Sequence, residues 1–449
     1  MKDQYKEIFE GLVDAYYNGD FEDTIKYIIE NKFNDKKEAQ RVIANLCGVE
    51  VDFEEKDFIY NLKKAITMHS VKKDIVSKIQ KCGNECTKDG GEAKCVSACP
   101  FDAILVNPID NNKYIDYDIC LSCGECVKAC DSGKYMDAVQ FLPIAEILKS
   151  GKKVIAAVAP AISGQFGEDV NLDMLRESFI KAGFTDMIEV AFAADMLSIK
   201  ESVEFDKHVN NEEDLLITSC CCPMWVGMLK KVYSDLVKHV SPSVSPMIAM
   251  ARVLKQLSPD IKVVFIGPCI AKKSEAKDKD LVGDVDYVLT FQELKVIFDA
   301  LSIEPAQMKG IPALEYASRG GRLYARTGGV SEAIGDIVKE LYPEKYKYFK
   351  AVQANGVPEC RELLKKAQNG EIDATFLEGM GCVGGCVGGP KKLIDKEKGK
   401  EAVDKAAYKS PVKVATHSHV MDEVLGRIGI TSLKDFEDPK KIEIFERNF

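Results

Sequence analysis

Apolar residues recur at helical spacing from the start of the chain: Ile8, Phe9, Leu12, Val13, Tyr16 and Tyr17 share one face, Gly19 suits a stop, and Asp20 suits a new N-cap. Phe21, Ile25, Ile28 and Ile29 form a second stripe, so residues 1–78 read as a helical N-terminal segment. Between Cys82 and Cys130 this periodicity gives way to closely spaced cysteines, glycines and short apolar runs such as residues 103–106. From about Gly151 the pattern changes again. Strands are expected over residues 154–158, 187–192, 263–266 and 287–289, alternating with helices over 172–182, from Ala194, over 247–257 and over 291–301. That alternation predicts an α/β unit with two lobes facing a cleft. The expected fold is therefore multidomain, α+β and α/β, with units at 1–78, 79–145 and 146–449.

Composition narrows the class. A chain of 449 residues that is 46% apolar and 29% charged is globular in character. Its longest nearly unbroken apolar stretch, residues 154–162, contains Pro160 and falls well short of the ~18 residues of a membrane span. The charged start MKDQYKEIFEG lacks a signal-peptide core, so no membrane is expected and the cytoplasm is the expected location. A net charge of -10 argues against a nucleic-acid partner. Sixteen cysteines in such a chain point to metal or redox chemistry rather than disulfides.

Cys120, Cys123, Cys126 and Cys130 have the CxxCxxCxxxC spacing that offers three thiolates to one cubane and the fourth to its neighbour. The preceding half reads Cys82-x3-Cys86-x8-Cys95-x3-Cys99-Pro100, with an insertion between its second and third thiolates. The region resembles two-cluster bacterial ferredoxins. By the exchange rule of such modules, one 4Fe-4S cluster takes Cys82, Cys86, Cys95 and Cys130, and the other takes Cys99, Cys120, Cys123 and Cys126. Eight cysteines in two interleaved sets favour iron-sulfur over zinc.

Three further segments each follow a short apolar run: residues 218–225 (TSCCCPMW), 267–273 (GPCIAKK) and 378–390 (EGMGCVGGCVGGP). Ligands gather beyond the carboxyl ends of strands in α/β sheets, so these loops are expected to converge. In order and kind they resemble the three signature motifs of the FeFe hydrogenases, and the triple cysteine resembles a less typical subgroup. The resemblance implies a two-lobed catalytic domain holding an H-cluster, a 4Fe-4S cluster joined to a di-iron unit with carbon monoxide, cyanide and dithiolate ligands. It assigns the cubane to Cys222, Cys269, Cys382 and Cys386, with Cys386 as the bridge, and Lys272 to a cyanide. Ala159, Pro160 and Met380 would line the di-iron pocket. The glycines around Cys382 and Cys386 suit close approach of backbone to a bulky group.

Proton delivery to a buried site needs a relay. The resemblance places its donor at Cys221, although Cys220 beside it leaves that assignment open, and it carries the relay through Glu201, Glu204 and Ser241. Gly267, Val244, Met247 and Ser331 depart from the residues usual at their positions. Cys47 and Cys360 read as structural. The expected activity is reversible conversion of two protons and two electrons to H2. Electrons would come from ferredoxin or a similar low-potential carrier, since plant-type ferredoxin clusters lie near about -400 mV. Hydrogenase maturation proteins are further expected partners. A hydrogen sensor with little turnover and an iron-sulfur scaffold lacking the di-iron unit are the competing classes.

Overall fold

The computed structural model describes residues 1–53, 57–82, 86–87, 91–219, 221–314 and 317–449. Helix Asp3–Asn18 ends where Gly19, at φ 94°, returns its N–H to the Ala15 carbonyl. Asp20 does occupy the next N-cap, but its carboxylate makes no capping bond, whereas Asp35 accepts from the Lys37 and Glu38 N–H groups to start Lys36–Cys47. The buried faces of these helices, with Phe9, Leu12, Ile25, Ile43 and Cys47, join a core continuous with helix Phe141–Lys149 and the larger sheet. Residues 1–78 therefore pack as part of the main body and not on a core of their own. Strand Val76–Lys78, at the end of the expected N-terminal unit, pairs antiparallel with Tyr135–Asp137 of the next. A second antiparallel pair joins Ile104–Val106 to Lys113–Ile115, and short helices Lys94–Ser97 and Glu125–Ala129 complete this cysteine-rich region.

Two parallel sheets build the rest. One orders its strands Asp186–Glu189, Val154–Val158, Lys262–Gly267 and Tyr287–Thr290; the other orders Ala351–Asn355, Phe376–Met380 and Leu216–Ile217. Their apolar strands are buried as parallel sheets require. Helices Ala191–His208 and Gly329–Leu341 pack against each other.

Two elements differ from expectation in ways that matter for the site. The strand expected over 187–192 stops at Glu189, because the alanine-rich run from Ala191 begins a helix at once. The apolar run at 374–377 becomes a strand only at Phe376 and continues through Met380, in register with Ala351–Asn355. Glu378, Gly379 and Met380 thus lie in a buried strand, not in the loop bearing Cys382.

Candidate active site and cluster sites

In the cysteine-rich region the thiols act on one another in two separate sets. Burial first, and then the nearby Cys86, Cys130 and Cys82 sulfurs, push the Cys95 thiol up. Burial likewise raises Cys126, followed by Cys123, Cys120 and Cys99, and it pushes Cys123 up to about 12. The structure thus brings Cys82, Cys86, Cys95 and Cys130 near one another, and Cys99, Cys120, Cys123 and Cys126 likewise. Backbone N–H groups of Ala103, Ser122 and Lys134 donate to Cys99, Cys120 and Cys130 sulfurs at 3.2–3.3 Å, which suits sulfurs that carry negative charge.

A third set forms where both parallel sheets end. Cys222 caps helix Pro223–Lys231 beyond Leu216–Ile217, Cys269 follows Lys262–Gly267, and Cys382 and Cys386 follow Phe376–Met380. Burial, and then the neighbouring thiols, raise Cys269 to about 11 and Cys386 to about 12; Cys382 rises for the same reasons, with Cys269, Cys222 and Cys386 as its thiol neighbours. The Gly381 N–H donates to Cys222 Sγ at 3.3 Å. Among the described residues no three His, Cys, Asp or Glu side chains gather closely enough to hold a single metal ion. Mostly half-buried thiols close enough to repel one another in sets of four suit a cubane, in which each iron takes one sulfur.

Beside Cys386 lies a mostly apolar cavity whose walls include Ala159, Pro160, Ala191, Met247, Phe265 and Ala325, with Cys221, Lys272 and Tyr324 as its polar members. This donor set and its adjoining apolar chamber fit a cubane with a compact di-iron group attached. Cys221 is buried and donates its S–H to Met380 Sδ at 3.7 Å, which ties the expected proton donor to the expected wall methionine. Cys220 lies outside the described residues. Lys272 is buried, not solvated, and its ammonium bonds Glu275 at 2.6 Å. Desolvation pulls its pKa down, but Glu275 outweighs that and the net shift is upward. Glu275 had no signal beyond sitting three residues along the same helical turn.

Several glycines of these segments are also required by their protein neighbours. A Cβ on Gly379 would fall 2.0 Å from the Trp225 ring, one on Gly381 2.9 Å from Met224, one on Gly385 2.6 Å from Thr327 N, and one on Gly389 2.8 Å from Pro268 O. Their missing side chains make room for protein neighbours that lock the cysteine loops together. Two departures are also explained. The space of a side chain at Gly267 is taken by the Phe265 ring, 2.7 Å from where its Cβ would stand, and that ring lines the cavity. Ser331 donates to buried Glu378 through both Oγ (2.7 Å) and N–H (2.8 Å), and Gly328 N–H donates to the other carboxyl oxygen, fixing residues 327–331 beside the cysteine loop.

Glu201, Glu204 and Ser241 come together in the interior, so the two carboxylates are not a solvated pair. Ser241 Oγ donates to Glu204 Oε2 at 2.6 Å and lies 2.8 Å from Ser243 Oγ. Glu201 is fully buried, and among the described residues neither of its carboxyl oxygens has a partner at hydrogen-bond geometry. Burial, and then the Glu204 charge, push its pKa up to about 7, partly opposed by the Thr218 hydroxyl, the Lys200 charge and the Ser243 hydroxyl. Thr218 lies three residues before Cys221, so the loop that carries the thiol also faces the carboxyl. Lys200, Ser243 and Glu446 belong to this network and were missed. Lys200 stands four residues before Glu204 on the same helix, a spacing that could have been read; Glu446 is distant in sequence and gave no signal.

Residues 152–390 match the family described as iron only hydrogenase large subunit, C-terminal domain. The chain belongs to that family. This FeFe hydrogenase family member is 29% identical over 347 residues to the NADP-reducing hydrogenase subunit HndD of Solidesulfovibrio fructosivorans, a match covering 64% of this chain and 58% of HndD. It is 25% identical over 264 residues to a cytosolic Fe-S cluster assembly factor, the NAR1 homolog of Schizosaccharomyces japonicus, covering 50% of this chain and 48% of that one. It thus spans only about half the length of these relatives. In fold it is similar to a variant of the FeFe hydrogenase HydA1 of Chlamydomonas reinhardtii, with a TM-score of 0.56 at 24% identity, over 66% of this chain and 94% of the other. Among the described residues no helix is long and apolar enough to cross a membrane.

Proposed function

We propose that this member of the FeFe hydrogenase family interconverts protons and dihydrogen. The observation that carries the reading is the meeting of Cys222, Cys269, Cys382 and Cys386 beside a chamber faced by both Cys221 and Lys272. Cys222, Cys269, Cys382 and Cys386 would hold the cubane of an H-cluster, and Cys386 would also carry the di-iron unit. When bound, that group supplies an open iron at which H–H bonds form and break. Lys272 offers a buried ammonium toward anionic iron ligands, a charge-assisted contact strengthened by exclusion of water. Ala159, Pro160 and Met247 keep the chamber apolar, whereas Met380, expected to line it, stands behind Cys221 and outside its walls.

Cys221 is the proposed last proton carrier, since a thiol whose unperturbed pKa is about 8.5 exchanges protons near neutrality after modest adjustment. Glu201, Ser241 and Glu204 are the proposed inner relay. Cys82, Cys86, Cys95 and Cys130 would hold one ferredoxin-like 4Fe-4S cluster, and Cys99, Cys120, Cys123 and Cys126 the other. The second set abuts the third: Ile270, next to Cys269, packs directly on Gly124, next to Cys123, where a Cβ would fall 2.3 Å from Ile270 Cδ1. This contact supports electron passage from a ferredoxin-like carrier through both clusters to the cubane. Similarity to a cluster assembly factor keeps a scaffold role as the second reading.

The test is hydrogen evolution and uptake by protein produced with hydrogenase maturation enzymes, using a reduced or oxidised viologen. Turnover in both directions, abolished in Cys386→Ser, is expected. A fully matured protein that carries the di-iron unit and turns over no hydrogen would replace catalysis by sensing.

A further inference from the structure

Lys200 is a fully buried charge in the catalytic half that the relay above leaves unused. Its side chain is wholly shielded from solvent, and its ammonium meets three acceptors: Glu204 Oε1 at 2.6 Å, Ser243 Oγ at 3.2 Å and Glu446 Oε1 at 3.4 Å. Two of these are hydrogen bonds and the Glu446 contact is an ion pair, and together they offset the cost of burying the charge. The neighbouring hydroxyls are then ordered. Ser241 gives its one proton to Glu204, so the 2.8 Å contact between Ser241 and Ser243 requires Ser243 to donate, and Lys200 fills an acceptor position on Ser243. The Ser243 proton is thereby directed toward Ser241.

Glu446 links this interior network to the surface. Its backbone bridges antiparallel to Ser243; Val244 N–H donates to Phe445 O, and Arg447 N–H donates to Pro242 O. Arg252, on helix Pro246–Leu257, holds the same segment from the other side by donating to Glu446 O at 2.6 Å. The Glu446 side chain is 28% exposed and opens on a charged cleft of about 800 Å³, walled also by Arg252, Lys255, Asp284 and Lys441.

We propose that Lys200 is a positioning residue that aligns Glu204, Ser243 and Glu446, and that Glu446 is the outer station passing protons between this line and the cleft. This rests on the proposed hydrogen chemistry only for its effect on turnover. A proton entering from the cleft binds the Glu446 carboxylate, moves to Glu204 beside the shared ammonium, and continues inward to Glu201; release runs the other way, and no electrons are exchanged at any of these groups. The charged and polar groups facing Glu201 are Lys200 and Glu204 from its own helix, Thr218 from the cysteine loop and Ser243 from the following loop, with Glu446 behind Lys200.

The experiment compares Lys200→Met, Lys200→Arg and Glu446→Gln in the full-length matured protein. Removing the Lys200 charge takes away a group that favours ionised Glu201. The infrared titration midpoint of the protonated Glu201 carboxyl should therefore rise by about one pH unit in Lys200→Met, a tenfold change in proton affinity, and return toward the parent in Lys200→Arg. Glu446→Gln should lower turnover about tenfold or more in both directions with unaltered cofactor bands, and a small diffusible acid such as imidazolium should recover much of that loss. An unmoved midpoint in Lys200→Met overturns the positioning role. Turnover within about twofold of the parent in Glu446→Gln, or a loss that imidazolium does not relieve, overturns the outer station. If the parent itself lacks turnover, the proposed function fails, while the Glu201 midpoint, which needs no di-iron unit, still decides the role of Lys200.

Discussion

Replacing Glu201 by Gln keeps the shape of the side chain and removes its proton chemistry. In the folded chain the carboxyl holds its proton up to about pH 7, because it is fully buried and faces Glu204. An unfolded Glu titrates near about 4.3, so the folded state binds the proton more tightly, and the resulting stabilisation is present at low pH and is lost as pH rises through about 7. The full difference corresponds to about 3.7 kcal/mol. Of this, about 2 kcal/mol disappears between about pH 5.5 and about pH 8.5, a window suited to anaerobic urea unfolding. The stability of the parent relative to Glu201→Gln should therefore fall by that amount across the window, whatever constant cost the buried amide adds. Infrared titration should show a protonated carboxyl in the parent, lost near about pH 7 and missing in the variant. Turnover should fall by about 10²-fold or more, the usual contribution of a positioned acid or base. A stability difference that stays flat with pH, or turnover unchanged with intact cofactor bands, would refute the reasoning.

Cys221→Ala should keep the metal-bound cyanide and carbonyl bands while lowering turnover by about 10²-fold or more; unchanged turnover would move the thiol role away from Cys221. Asp137 is buried between Lys273 at 2.9 Å and Lys391 at 2.6 Å, joining the strand after the cysteine-rich region to the helix after Cys269 and to the loop after Cys386. Asp137→Asn leaves those ammonium groups undercompensated, and denaturant unfolding should show a loss of about 3–5 kcal/mol. Gly379→Ala places a methyl against Trp225, where a Cβ would have only 2.0 Å, so its thermal midpoint should fall sharply or soluble yield should collapse; normal stability would mean that the strand and ring do not meet as described.

Much of the architecture is visible in hydrophobic periodicity. The runs at 154–158 and 263–266 became central parallel strands because both faces of such strands are covered, leaving them continuously apolar. The cysteine sets were legible because thiol spacing is dictated by the geometry of a tight loop around a cluster. What pattern reading lost depended on contacts between distant segments. Glu378 looked like part of a loop, yet strand pairing with Ala351–Asn355 carries it into the interior to receive Gly328 and Ser331. The glycines at 379, 381, 385 and 389 also leave room for Trp225, Met224 and backbone from two other loops, contacts that no local pattern announces. Lys200 and Glu201 look like surface residues of a charged helix; they are buried because a second helix and the C-terminal segment cover that side.

The most direct measurement is infrared spectroscopy of the full chain produced together with competent hydrogenase maturation enzymes. Bands of metal-bound cyanide and carbon monoxide, lost when Cys386 is replaced by Ser, are the predicted result. A protein that acquires its cubanes under those conditions yet shows no such bands would contradict the account and leave an iron-sulfur scaffold in its place.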